Sequence, residues 1–400
     1  MQDTTKSFIG TSVAHFVNDG SLYVFIILYP KILPSQVLFA GILGGLQNIL
    51  SVAVSPAIGR TADSKKNYGF LMALGLVMFG IGIVGYSIFG ALFTGFDLFL
   101  FLVPFAITAG VGSAFYHPLG ASALREKWGV QRAGRITGIN GALGSVGRAL
   151  YPLFVVTLVV YFTVPSVILL AGVAFVCAAV VSSLFHGMQF QSLRSKTDEK
   201  GISKSRVPMG VLLPSILALT IFSFIRGVFA LGIIQFIPYY LKQVNGFQYG
   251  FQLGLAFSLM LGMGVIGQPV FGYIADKFGR RLALGIASMG SSISMLLFLY
   301  APNPLYAVIY LSGFGFFIFT GFPLLLPLAA SIAPEGASTM SGSIVWGMGN
   351  VGGGAVGPVL AGILAEPSVL GSLHTTFLIL TIFGVVGMLL LPFVPKPRPR

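Results

Sequence analysis

Pro56-x-x-Gly59-x-x-Ala62-Asp63 recurs as Pro269-x-x-Gly272-x-x-Ala275-Asp276, 213 positions later. Each copy closes a long apolar segment and opens a short charged loop, so the chain reads as two similar halves joined head to tail. The repeat extends further. Gly112, Pro118, Leu119, Ala121 and Glu126 match Gly321, Pro327, Leu328, Ala330 and Glu335 at a separation of 209. Gly141, Gly147 and Pro152 match Gly347, Gly353 and Pro358 at 206. Glycine is abundant in this chain, so the shared Pro, Asp and Glu positions carry the repeat. An offset near half of 400 residues implies a duplicated membrane bundle.

Composition agrees. The chain is 56% hydrophobic and 8% charged. Soluble domains carry about a quarter charged residues, so a surface of this size could not face water throughout. The net charge of +13 would suit a nucleic-acid binder. However, the Lys and Arg residues fall in brief gaps between apolar runs rather than along one stripe, and no nucleic-acid partner is expected. The single cysteine, Cys177, lies inside an apolar run and excludes an intrachain disulfide. The first apolar run, near Phe8, lacks a small-residue cleavage site and reads as a retained span.

A hydrocarbon core of about 30 Å needs roughly 20 helical residues. That ruler gives an all-α membrane protein of twelve spans, starting near Phe8, Val37, Gly69, Leu98, Ala133, Pro165, Gly210, Gly250, Leu282, Pro304, Ser338 and Gly371. Lys6, Arg60 to Lys66, Arg125 to Arg135, Arg194 to Arg206, Lys277 to Arg281 and Lys396 to Arg400 fall on one side. Only Lys31 and Lys242 fall on the other. This asymmetry predicts that the basic loops and both termini are cytoplasmic. Residues 1–188 form the first six-helix bundle, 189–208 a polar linker and 209–400 the second bundle. Six spans return the chain to its starting side, so the halves are expected to be parallel repeats about an axis along the membrane normal.

The loop Gly272-Tyr273-Ile274-Ala275-Asp276-Lys277-Phe278-Gly279-Arg280-Arg281 resembles the G-x-x-x-D-[RK]-x-G-R-[RK] signature of the major facilitator superfamily. The first copy keeps Gly59 and Asp63 but lacks the closing Gly-Arg-Arg. Within that superfamily the chain is similar to the fosmidomycin-resistance efflux proteins. The residues that carry this likeness are His15-Phe16-Val17-Asn18-Asp19, Tyr29-Pro30 and Gly112-Ser113-Ala114-Phe115-Tyr116-His117-Pro118. The resemblance implies a proton-driven exporter working by alternating access.

Ionisable residues inside the spans are candidates for the working site. Asp19 lies eleven residues into the first span, roughly 16 Å deep. A charge at that depth costs at least about 2.5 kcal/mol, so it needs a cavity or a partner. His15 precedes it by one turn on the same face. Asp19 and His15 are therefore candidates for proton coupling, with Asn18 beside them as a polar substrate contact. A structural hydrogen-bond cluster is the plainer alternative. Arg148 and Arg226 are the two cations far from any loop, and each requires an anion or a polar cavity. With Asp19 they leave a surplus positive charge that suits an anionic substrate, unless one Arg pairs permanently with Asp19. His117, near the basic end of the fourth span and followed by Pro118, is either a second proton station or an interfacial surface residue.

The paired loops suggest a conformational latch built from Gly59, Asp63, Arg135, Gly272, Asp276, Arg280 and Arg281. An anion at a helix boundary can accept hydrogen bonds from the amides of a neighbouring helix. The simpler reading makes these residues a topology signal only. No Gly-rich phosphate loop ending in Gly-Lys-[Ser/Thr] occurs, so ATP is not the expected energy source. No metal-ligand spacing or nucleophile–base pair stands out. The sequence therefore predicts neither an enzyme nor a cofactor or metal. It predicts a monomeric transporter of a small anionic or amphipathic compound in exchange for protons. An uptake symporter for an organic acid is the alternative within the class, and a membrane sensor or lipid-handling protein the alternative outside it.

Overall fold

The structure, a computed structural model, describes residues 2–190, 209–333 and 338–394; the side chains of 62–65, 130, 131, 133–135, 209–213, 215, 322, 323 and 338–340 lie outside this description. The described chain is helical. In lipid the backbone must satisfy its own hydrogen bonds, and a helix does so within each segment. In chain order the helices of the first half are α1 Asp3–Ile32, α2 Val37–Lys65, α3 Tyr68–Leu92, α4 Gly95–Trp128, α5 Val130–Tyr161 and α6 Ile168–Phe185. The second half contains α7 Met209–Ile234, α8 Ile237–Gln243, α9 Phe251–Gly262, α10 Gly264–Phe278, α11 Arg280–Leu299, α12 Pro304–Ile318, α13 Gly321–Ile332, α14 Ser338–Ser343, α15 Gly352–Ala365 and α16 Leu373–Met388. Among the described residues, eleven helical stretches are long and apolar enough to span a membrane, and Pro304–Ile318 supplies a shorter apolar helix. This is the twelve-span helical fold that the sequence predicts.

The charged connections differ from the expected loops. Helix continues to Trp128 and resumes at Val130, so Gly129 alone turns the chain, with φ +75°. Gly279 does the same between α10 and α11, with φ +95°. A side chain at either position would be strained, which gives the signature glycine a backbone reason. The tenth span is broken at Phe319–Thr320, and Ile344–Val351 in the eleventh is π-helical.

The chain divides into two compact units. Unit 1 comprises Met1–Gln36, Leu46–Thr197 and Gln248–Ser258; unit 2 comprises Val37–Gly45, Asp198–Phe247 and Leu259–Arg400. In unit 1, α1 packs mainly on α5 and also on α3, α4 and α6. A core of Val17, Met72, Leu76, Phe115, Leu119 and Val181 lies among these helices. In unit 2, α7 packs on α15 and on the π-helical turn.

The repeat reappears as one contact made twice. A Cβ on Gly147 would lie 2.1 Å from the Phe16 carbonyl, and one on Gly353 would lie 2.1 Å from the Phe224 carbonyl. In lipid, helices approach this closely only through small residues. Gly147 and Gly353 are therefore packing positions, and the first brings α5 against α1 near Asp19.

Candidate functional site

Asp19 sits midway along α1 with its side chain 5% exposed, and four polar side chains converge on it within unit 1. His15 Nε2 lies 3.4 Å from Oδ2, and Arg148 Nη1 lies 3.5 Å from the same oxygen. His117 Nε2 is 3.6 Å from Oδ1, to which Asn18 donates at 3.1 Å. The chain thus brings together the candidates His15, Asn18, Asp19, His117 and Arg148 from α1, α4 and α5. His117, placed by the sequence near the basic end of the fourth span, reaches Asp19, and α4 continues for three turns beyond it to Trp128. Its side chain is nevertheless 61% exposed, against 19% for Arg148 and 11% for His15. The cluster is graded from an accessible imidazole to a buried carboxylate.

Asn140 is the member that sequence reading missed. Its Oδ1 faces His15 Nδ1 at 3.0 Å and accepts from the Tyr116 hydroxyl at 2.5 Å. Its amide donates to Ser12 Oγ at 3.2 Å and Thr11 Oγ1 at 3.4 Å. Thr11 is already donating to the Ser7 carbonyl, so its oxygen must accept from Asn140. That fixes the carboxamide, and His15 must carry its hydrogen on Nδ1. Nε2 then faces Asp19. With neutral His15 a lone pair meets the carboxylate; a proton on Nε2 turns the contact into a charge-assisted pair. Tyr116 stacks on the His15 ring at 4.3 Å between centroids, and Gly144 lies against its other edge.

Arg148 donates to Ser145 Oγ at 2.6 Å as well as approaching Asp19. A carboxylate that shares an Arg is the arrangement that the sequence reading kept open, and a long cation can swing from one anion to another. His15, Asp19 and His117 also form, among the described residues, the one group whose donor atoms lie within 4.8 Å of each other, as a metal ion would need. Arg148 on the same carboxylate sets a fixed positive charge there, which opposes a divalent cation.

Arg226 makes a different set of contacts. It belongs to unit 2, is 5% exposed and donates Nη2 to the Ile318 carbonyl at 2.5 Å. Gln268 donates to the next carbonyl, Phe319, at 3.3 Å. These are carbonyls at the end of α12, left by the break in the tenth span, and both side chains cap them. Arg226 thus holds that break through a backbone carbonyl, whereas Arg148 faces a carboxylate. The repeat gives a reason for this asymmetry. At the separation of 208 that relates Phe16 to Phe224, His15, Asn18 and Asp19 correspond to Ser223, Arg226 and Gly227. At these repeat positions the His and Asp occur in the first half alone.

The latch candidates divide similarly. The side chains of Asp63 and Arg135 lie outside the described residues, as does Glu335. In the first half, Lys66 Nζ and the Tyr68 hydroxyl both reach Glu126 Oε1, at 2.5 and 2.6 Å. Gly59 has no neighbour that a Cβ would meet within 4 Å, and neither has Gly272. Asp276 is exposed, and Arg281 donates to the Val394 carbonyl at 2.9 Å. Among the described residues, neither Arg280 nor Arg281 has a carboxylate partner.

Comparisons with known proteins agree with this architecture. The profile of the Major Facilitator Superfamily matches residues 11–352. The fosmidomycin resistance protein of Escherichia coli (strain K12) is 24% identical over 97% of this chain and 92% of its own length. The probable sulfoacetate transporter SauU of Cupriavidus necator is 26% identical over 76% of this chain and 74% of its own. The crystal structure of a D-xylose-proton symporter superposes with a TM-score of 0.79 at 14% identity, covering 99% of both chains, which supports the fold alone. The helices, the repeated packing contact and the profile match converge: the chain belongs to the Major Facilitator Superfamily and is a multi-pass membrane transporter, not an enzyme.

Proposed function

We propose that this transporter is a proton-coupled exporter of a small anionic or amphipathic organic compound, working by alternating access as a monomer in a prokaryotic cell membrane with both termini cytoplasmic. The observation that carries the coupling is that His15 Nε2 and Arg148 Nη1 address the same oxygen of Asp19, at 3.4 and 3.5 Å. A substrate bearing an anionic group and a hydrogen-bond donor can enter this pair, the anion on Arg148 and the donor on Asp19. It then occupies the carboxylate that the proton needs. Competition of this kind is the linkage that exchange requires, because a ligand shifts an equilibrium only by its differential affinity. The names of the full-length relatives support transport of an anionic or drug-like compound, and the basic loops support the orientation.

The same geometry favours a second reading for a simple organic anion without a donor. Protonating Asp19 releases Arg148, so proton and anion would bind together and travel in the same direction. Gradient-driven flux in proteoliposomes tests both readings. Export predicts substrate movement against the proton gradient, cotransport predicts movement with it, and Asp19→Asn abolishes either while leaving substrate exchange. Normal gradient-driven accumulation by Asp19→Asn would reject the coupling role.

A further inference from the structure

At the basic end of unit 2, a groove of about 780 Å³ runs between α11 and the end of α16. Arg280 and Arg281 stand at its mouth, and Gly285, Ile286, Met289 and Leu391 line its length. We propose that this groove binds an anionic glycerophospholipid, with the headgroup phosphate on Arg280 and Arg281 and an acyl chain along α11. The orientation proposed above determines only which leaflet supplies the lipid.

Two independent features select this occupant. The first is charge. Arg281 has one donor on the Val394 carbonyl, leaving the rest of its fork available, and neither arginine has a carboxylate partner among the described residues. Lys277 lies one turn earlier. The first half differs, because Lys66 is neutralised there by Glu126. A guanidinium pair at the lipid–water boundary matches a phosphate, and basic pockets between membrane helices bind such headgroups.

The second feature is shape. Ile286 and Met289 are exposed, one turn apart on the lipid-facing side of α11. A Cβ on Gly285 would meet only Leu391 Cδ1, at 3.6 Å, so this glycine is not needed for helix packing. It leaves an open channel where any larger residue would fill the groove. Inorganic phosphate would use the arginines and ignore the channel; a phospholipid uses both.

The test reconstitutes the full-length protein in phosphatidylglycerol mixed with phosphatidylcholine and measures the lipid retained on purification by native mass spectrometry. Wild type should retain phosphatidylglycerol selectively. Replacing both arginines, Arg280→Gln with Arg281→Gln, should lower that enrichment roughly tenfold or more. Gly285→Phe should lower retention with both arginines intact. Thermal unfolding in phosphatidylcholine alone checks the fold, and Ile286→Trp on the same wall serves if Gly285→Phe does not fold. Unchanged enrichment in the arginine variant overturns the proposal, as does loss in the arginine variant with full retention in both groove-filling variants.

Discussion

His15 Nδ1 lies 3.0 Å from Asn140 Oδ1, on a carboxamide that Ser12 and Thr11 hold from its other end. Asn140 is therefore the residue that turns the His15 proton acceptor toward Asp19. Asn140→Leu removes its hydrogen bonds with His15, Tyr116, Ser12 and Thr11, each worth about 1 kcal/mol. Proton-driven transport should fall several-fold with a shifted pH profile, while the protein still folds. Nitrogen chemical shifts of labelled His15 should change from one tautomer to a mixture; an unchanged single tautomer would remove Asn140 from this role.

The two buried arginines should respond differently. Arg148→Gln should weaken binding of an anionic substrate by about 1.5–3 kcal/mol, the range for a hydrogen bond to a charged group. Arg226→Gln should leave affinity nearly intact and lower thermal stability, because the Ile318 carbonyl loses its partner. Equilibrium binding and unfolding of both variants separate the roles. A larger affinity loss for Arg226→Gln would return substrate selection to that residue.

Glycines of the fifth span differ sharply in what they tolerate. Gly147→Ala would drive a methyl group into the Phe16 carbonyl and force α1 from α5, with loss of folded protein or of transport. Gly141→Ala meets nothing within 4 Å and should be neutral or stabilising by up to about 1 kcal/mol. Thermal unfolding of the purified variants checks both; equal effects would mean that the α1–α5 contact is not needed.

The two loop copies should also be unequal. The first-half loop has Arg135 as a prospective partner for Asp63, and the Lys66–Glu126 pair already ties that region. No basic residue lies between Ser331 and Gly342 for Asp276. Asp63→Asn should therefore shift the conformational equilibrium toward inward-facing more than Asp276→Asn. Spin-label distances at both membrane faces measure the shift. An equal or larger shift for Asp276→Asn would reverse the assignment.

Much of this was legible in the sequence, and the exceptions have physical causes. Apolar span length and the Pro–Gly–Asp repeat give the twelve helices directly. Asp19 and Arg148 are visible because a charge far from any loop has few innocent explanations. The approach of His117 to Asp19 was not legible, because it forms only once α4 packs on α1. Asn140 carried no charge and lay in a glycine-rich run, where packing is the natural reading. Its link to His15 spans 125 residues and exists only once α5 has closed on α1. For Arg226 the charge was visible, but the break at Phe319–Thr320 that it caps was not.

The central claim is that substrate and proton share Asp19, and counting protons tests it most directly. In weakly buffered detergent solution, a transported substrate is added to purified protein and the pH change is read with an indicator dye. Under the exchange reading, wild type releases about half a proton per substrate bound at the midpoint of its pH profile and approaches one below it, and Asp19→Asn releases none while still binding. Proton uptake by wild type, lost in the same variant, would favour cotransport through the same carboxylate. No proton change in wild type, or an equal change in Asp19→Asn, would contradict the claim.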